Sequence, residues 1–240
     1  VSGTGAGQSS ASHDPRLDGL RAVAAIAVVA FHCQVPFALG GSLGVDVFFV
    51  LSGWLITGIL MREIERTGGA GYWRFMGRRL RRLVPALAIM LAVATPFFAP
   101  WAKIDAIRAG TYTMNLFSAA GAGNNPLAHT WSLAGEMQFY LVWPIVVTML
   151  APLGRARAAW MLLIAWAVMT LARESARAVS VDWQVVYFAP WFHSSGMLLG
   201  GALALRPLSA RFGQLGLAAL IILLAFTPIS QPIVGDPTHG

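Results

Sequence analysis

Apolar residues fall along this chain in long runs, not in the alternation of a half-buried strand or the one-sided stripe of a soluble helix. The first run, about 17–39, opens as LDGLRAVAAIAVVAFH and closes at Pro36 and the Gly40–Ser42 stretch. The second, about 43–61, begins GVDVFFVLSGWLIT and stops at MREIER. Further runs cover about 83–101, 131–152 (interrupted by Pro144), 157–172, 186–205 and 213–229. A weaker one, 104–120, has Lys103, Asp105 and Arg108 crowding its start. Apolar runs near twenty residues match the length of a helix that crosses a bilayer. The pattern predicts an all-α, polytopic transmembrane bundle with about eight membrane segments, seven of them firm. Residues 1–14, rich in Gly, Ser and Ala, read as a flexible tail ahead of one membrane domain over 15–240. With no basic stretch and small-residue cleavage site before it, the first run is expected to be a retained helix, not a signal peptide.

Composition sharpens this picture. The 240 residues are 57% apolar and only 11% charged, whereas about a quarter of an ordinary soluble domain is charged. The net charge is +7, and Arg supplies all but one of the 17 basic residues. In an apolar chain that charge speaks first of topology and lipid headgroups, then of an anionic substrate. A nucleic-acid partner is not expected, because no soluble basic domain is present to carry one. Cys33 is the single cysteine, so no intrachain disulfide or Cys-rich metal site is expected.

Arginines 62, 66, 74, 78, 79, 81 and 82, against Glu63 and Glu65, mark a cytoplasmic loop between the second and third spans. The amino terminus is then cytoplasmic too, in a multi-pass protein of the cell membrane. Pro85 is expected in the first turn of the third span, where proline is tolerated. Segment 104–120 has two competing placements. If it crosses, Arg155, Arg157, Arg206 and Arg211 fall on the side opposite the arginine-rich loop. If it re-enters or lies flat, both pairs return to that side and Arg173 and Arg177 move out. The charges favour re-entry.

Several ionisable groups stand inside the apolar runs. Arg21 and His32 are eleven residues apart, about three helical turns, so they share a face at a spacing of about 16 Å. Ala25 and Val28 or Val29 lie between them, and Ala25 leaves room for a helix or a ligand. Asp46 opens the next run. Ionisable residues at membrane depth are costly unless they face a cavity, a partner or a site; the competing reading is a structural His and a snorkelling Arg. In RRLRRLVP, Arg78 and Arg82 are i,i+4 and Arg79 and Arg82 are i,i+3. Guanidinium forks suit phosphate oxygens of a nucleotide-bearing donor, and anchoring to anionic lipid is the alternative. In HTWSLAGEMQFYLVWP, Ser132, Glu136 and Tyr140 form one polar stripe. Its carboxylate could orient a histidine, take a proton, or serve as a structural ion pair. His129 reads as interfacial. His193, before GMLLGGALA, reads as packing, and Gly196, Gly200 and Gly201 as points of close helix approach.

Taken in order, LDGLRAxAxxxVxxxH, GVDVFFVLSGWLIT, RRLRRLVP, HTWSLAGEMQFYLVWP and LLGGALA resemble the acyltransferase-3 family over roughly 15–230. That family comprises integral-membrane O-acyltransferases of about ten spans acting on surface polysaccharides, peptidoglycan and similar acceptors. The resemblance implies transfer of an acyl group, acetyl first, from acyl-CoA to a hydroxyl of a carbohydrate or cell-envelope acceptor. Acyl-CoA is then a co-substrate, and no cofactor or metal is held permanently. The family's first-helix Arg and His fall on Arg21 and His32, and its second-helix Asp on Asp46. Its RxxR falls on Arg79 and Arg82, with Arg78 beside them, and its Ser/Glu/Tyr pattern on Ser132, Glu136 and Tyr140. On this reading the arginines hold the CoA phosphates, and His32 deprotonates the acceptor or carries the acyl group. Arg21 steadies the donor or the oxyanion, and Glu136 or Asp46 orients His32. The chain departs from the family in reading GEMQFYL for VEEQFYL and in carrying His193 where an Arg often precedes the glycine-rich helix. The family's span count tips the expectation for 104–120 towards full crossing. Stopping near an eighth span, and without an initiating Met, the chain is expected to be a fragment. The alternative class is a transporter or carrier of a lipid-linked or acylated intermediate, which inverted repeats or paired broken helices would favour; neither is visible in the sequence.

Overall fold

The helix α2, Leu43–Thr67, runs 25 residues and is the axis against which Pro15–His32, Trp131–Leu150 and Ser195–Leu205 pack. The computed structural model describes residues 15–35, 40–100, 103–122 and 125–206, and every regular element among them is helical. Four stretches are long and apolar enough to cross a membrane: Leu43–Thr67, Tyr72–Phe97, Ala128–Leu153 and Arg155–Ala178. They match the runs read at 43–61, 83–101, 131–152 and 157–172. The other four expected segments end differently. The helix α1, Pro15–His32, 18 residues that carry Arg16, Asp18 and Arg21, is not among the four spanning stretches. The 104–120 run breaks into α4 (Lys103–Gly110), α5 (Met114–Phe117) and a π-helical turn at Ser118–Ala122. The 186–205 run breaks into α8 (Trp183–Phe188), α9 (Pro190–His193) and α10 (Ser195–Leu205). The segment 213–229, like the 1–14 tail, lies outside the described residues.

The arginine-rich loop is largely helix. The end of α2 carries Arg62 and Arg66, and α3, Tyr72–Ala94, already contains Arg74 to Arg82, leaving only 68–71 as the turn. Gly68 makes that turn with φ +80°, its N–H donating to the Ile64 carbonyl at 2.8 Å, the left-handed cap that glycine adopts without strain. Pro85 therefore sits in the middle of α3, not in its first turn. With no N–H to give, it leaves the Arg81 carbonyl unpaired within the helix. In α6, Trp131–Leu150, Pro144 does the same to the Tyr140 carbonyl.

Ion pairs mark which helix ends meet. Arg155, which opens α7 (Arg155–Ala178), donates from Nε and Nη2 to the two Glu65 oxygens at 2.8 and 3.3 Å. Glu63 receives Arg74 and Arg78 at 3.3 and 3.4 Å, and Arg206 stacks over Trp160 at 5.7 Å. The ends of α2, α6 and α10 and the starts of α3 and α7 thus share one arginine-rich end. This overturns full crossing of 104–120: Arg155 and Arg206 lie on the same side as Arg62–Arg82, as their charges alone suggest. The short α4 and α5 stay at the opposite end, where Ala109 and Met114 pack in one cluster with Phe49, Trp131 and Phe188.

Glycines set the tightest seam. A Cβ on Gly200 would overlap the Val50 carbonyl and meet the Trp54 nitrogen, and one on Gly53 would overlap the backbone of Met197. The helices α2 and α10 therefore run backbone to backbone, the arrangement by which small residues gain van der Waals contact where lipid offers no hydrophobic drive. Gly201 leaves space for Trp143 and Thr57, and Trp143 Nε1 donates to the Thr57 hydroxyl at 2.7 Å inside the core.

Candidate active site

The residues singled out by the sequence separate into three places. On α1, the face packed on α2 is Leu17, Leu20 and Ala24, because Gly44 lies against the Ala24 carbonyl and the Val28 side chain. Ala25, expected in the site stripe, is exposed beside that contact, and so is His32. The helix closes on His32: the Val35 N–H reaches the Ala30 carbonyl, the Gln34 N–H reaches the Phe31 carbonyl, and Gln34 takes φ +54°. This is the Schellman closure, made here without glycine. It ends α1 several residues before Pro36 and presents His32 at the helix terminus. The Phe31 ring stands edge-on to it at 5.6 Å, and His129 lies within electrostatic range. Arg21 pairs with Asp18 at 3.4 Å, one turn away.

A second group joins α2, α3 and α6. Glu136 accepts a hydrogen bond from the Ser52 hydroxyl, and the buried Tyr140 side chain lies beside both. Arg79 leans in from α3, its guanidinium 5.3 Å from the Phe75 ring centre and 5.6 Å from that of Tyr140, close enough to feel the Glu136 charge. Arg79 is half-buried while Arg78 and Arg82 are exposed, so the RRLRR run is split: Arg79 points to the cluster, Arg78 to Glu63, Arg82 to the surroundings. Ser132 does not join, since its hydroxyl returns to the His129 carbonyl at 3.4 Å. The stripe expected at i, i+4 and i+8 is therefore a Glu136/Tyr140 pair completed by Ser52 from another helix. Beside it, Asn115 and Gln138 exchange amide hydrogen bonds at 2.9 Å, and Gln138 donates to the Tyr112 carbonyl at 3.1 Å, tying α5 to α6.

The third place is the outer end of the α2–α10 seam. There the His193 ring, with only 7% of its side chain exposed, brings Nε2 to 3.4 Å from Asp46 Oδ1. Phe49, Trp131 and Tyr187 surround it at ring-centre distances of 5.8, 4.7 and 4.7 Å. Neither carboxylate expected to orient His32 does so: among the described residues Asp46 faces His193 and Glu136 faces Ser52 and Tyr140. Ser52 and His193 are the polar members that sequence reasoning missed as site residues. Ser52 sits in an LSG context typical of packing, and only the fold brings His193 to Asp46.

Among the described residues no three His, Cys, Asp or Glu converge as metal ligands would. A cavity of about 380 Å³ opens between α6, α7 and α10, lined by apolar side chains such as Phe139, Val146, Met161 and Leu198. It borders none of the three polar groups except through Ser194, next to His193, and its lining offers nothing for acid–base work.

Comparison with known proteins follows the same residues. A family model described as "Acyltransferase domain" matches residues 14–238. The chain is 43% identical over 146 residues, 54% of its length, to the peptidoglycan O-acetyltransferase OatA of Listeria monocytogenes, covering 23% of that relative. It is 42% identical over 150 residues, 57% of its length, to the O-acetyltransferase OatA of Staphylococcus aureus, covering 25% of that one. The chain thus spans about a quarter of the length of these curated relatives. No solved structure matches. With the matched model reaching across nearly all of the sequence, from the start of α1 past the end of α10, the chain belongs to the acyltransferase-3 family of membrane proteins.

Proposed function

We propose that this protein is an integral-membrane O-acyltransferase that moves an acetyl group from acetyl-CoA to a hydroxyl of a cell-envelope carbohydrate. The observation that carries the reading is the polar cluster of Ser52, Glu136, Tyr140 and Arg79, assembled from three helices inside an otherwise apolar bundle. Family membership supports the reaction type, and the names of the two relatives support an envelope acceptor.

On this proposal the arginine-rich end is cytoplasmic and meets the donor. Arg78, Arg79 and Arg82 engage the CoA phosphates. Arg79, already turned inward, is the one that can follow the thioester into the bundle, and Arg78 must exchange its Glu63 contact for phosphate. Glu136 and Tyr140 hold Arg79 in place. The acceptor arrives at the other end, where Asp46 and the exposed His32 face it. His32 takes the proton of the acceptor hydroxyl as its oxygen attacks the thioester carbon. The C–S bond breaks, and the leaving thiolate takes the proton from the imidazolium. Alternatively His32 first accepts the acetyl group and then passes it on. Arg21, about 16 Å from His32 along the same helix, is available to the donor once it leaves Asp18.

The test is acetyl transfer in native membranes supplied with radiolabelled acetyl-CoA, followed by mass spectrometry of the envelope glycans. His32→Ala should lose roughly 10²–10⁴-fold of the rate, the usual contribution of general-base catalysis, at unchanged abundance. A His32→Ala protein that inserts and transfers at the parental rate would remove His32 from the chemistry. Absence of label in any glycan with the parent would refute the reaction itself.

A further inference from the structure

His193 has no part in the transfer step, yet its side chain is only 7% exposed. One ring nitrogen is hydrogen-bonded to the Tyr187 backbone carbonyl. A carbonyl only accepts, so that nitrogen carries a proton. The other, Nε2, is buried with no partner in good hydrogen-bond geometry and lies 3.4 Å from Asp46 Oδ1. A bare imidazole lone pair facing a bare carboxylate in this apolar enclosure would be repulsive and unsatisfied, so one proton between the two atoms resolves the geometry. The remaining charged groups acting on the ring are Arg173 and Arg177 on α7; α6 presents the uncharged Trp131 and α8 the Tyr187 ring. Both arginines are themselves engaged with Glu174.

Asp46 differs from His193 in being reachable. Its side chain is 37% exposed, and among the described residues it has no other ion-pair partner. The register that sets it opposite His193 comes from the glycine seam, since Gly196 packs against Phe49, Val50 and the Asp46 carbonyl. We propose that His193 is a positioning residue for the acceptor site: it shares one proton with Asp46 Oδ1, fixes that carboxyl, and leaves its second oxygen to receive the hydroxyl of the incoming carbohydrate. The identity of the acceptor rests on the acyltransferase reading; the shared proton does not.

Two measurements test it on the reconstituted full chain. Infrared difference spectra recorded during a pH titration should show a carboxyl band that vanishes in Asp46→Asn and moves in His193→Gln, whether or not the preparation transfers acetyl groups. A band unaffected by His193→Gln, or none assignable to Asp46, would overturn the shared proton. In the transfer assay, both variants should raise the acceptor KM about tenfold with the donor KM unchanged. The rate–pH profile should change shape in His193→Gln, and the double variant should be no worse than Asp46→Asn alone, because the two side chains act as a unit. Variants that insert normally but lose rate equally at every pH, or that raise the donor KM instead, would reduce His193 to packing. Should His193→Gln fail to insert, Asp46→Asn, which keeps the volume and the site's aromatic walls, supplies both measurements. Loss of the band with a raised acceptor KM then supports the pair, and an unchanged band or acceptor KM overturns it. A parent that shows the band but no transfer would refute the reaction and leave the pair standing.

Discussion

The helices α2 and α3 are nearly equal in length, and both contain an apolar stretch long enough to span. Yet 44% of the apolar window of α2 is buried within the protein and only 6% of that of α3. The difference lies in small residues. On α2, Gly44 and Gly53 replace side chains where α1 and α10 press in, whereas α3 presents Val84, Ile89 and Val93 outward. In lipid, an apolar surface is no reason for helices to meet; close packing and polar partners are. α2 has both, and α3 is held chiefly by its first turns, where Phe75 and Met76 are buried and Arg79 reaches the cluster.

The hardest blow to this comparison is a large side chain in the seam. Gly200→Leu places a Cβ where the Val50 carbonyl lies, and backbone cannot yield as a flexible side chain does. The loss should exceed the 1–3 kcal/mol or so typical of overpacking, read as a collapse of folded protein recovered in mild detergent. Val84→Leu on the exposed face of α3 should change recovery by no more than about 0.5 kcal/mol. Equal losses from the two substitutions would erase the distinction between axis and periphery.

A smaller effect sharpens the one functional contact of α3. Arg79→Lys keeps the charge but loses the planar fork over Tyr140, so the donor KM should rise about tenfold, given roughly 1.5–3 kcal/mol for a charge-assisted hydrogen bond. Arg82→Lys, exposed and directed away from the cluster, should raise the donor KM by less. A reversed order would mean that the outer arginines, not the inward one, hold the donor. Least of all should Glu65→Gln matter. The Glu65–Arg155 pair is half exposed on both sides, and such pairs contribute about 0–1 kcal/mol. Thermal unfolding in detergent should move little, while the shared end of α2 and α7, fixed by packing, stays in place.

From the sequence alone come the helical class, four of the spans, the family, and the residue types of the chemistry, because hydropathy and motif order are local properties of the chain. The glycines of LLGGALA also announce close packing, since a missing side chain has that meaning in almost any membrane helix. Three things require the tertiary structure. Segment 104–120 is broken and stays at one end, and it is the Glu65–Arg155 pair, ninety residues apart, that shows on which side α7 begins. The charge pattern points the same way, against the span count that the family resemblance implies. The stripe of Ser132, Glu136 and Tyr140 gains a member from another helix, since periodicity finds neighbours on the same helix and cannot find Ser52, which is 84 residues away from Glu136. Least legible is the partner of Asp46. It depends on α2 and α10 meeting at glycine distance, on Pro190 opening the short turn that turns His193 inward, and on three aromatic rings closing around it. A motif records which groups a chain carries; which of them share a proton is decided by how closely the backbones approach.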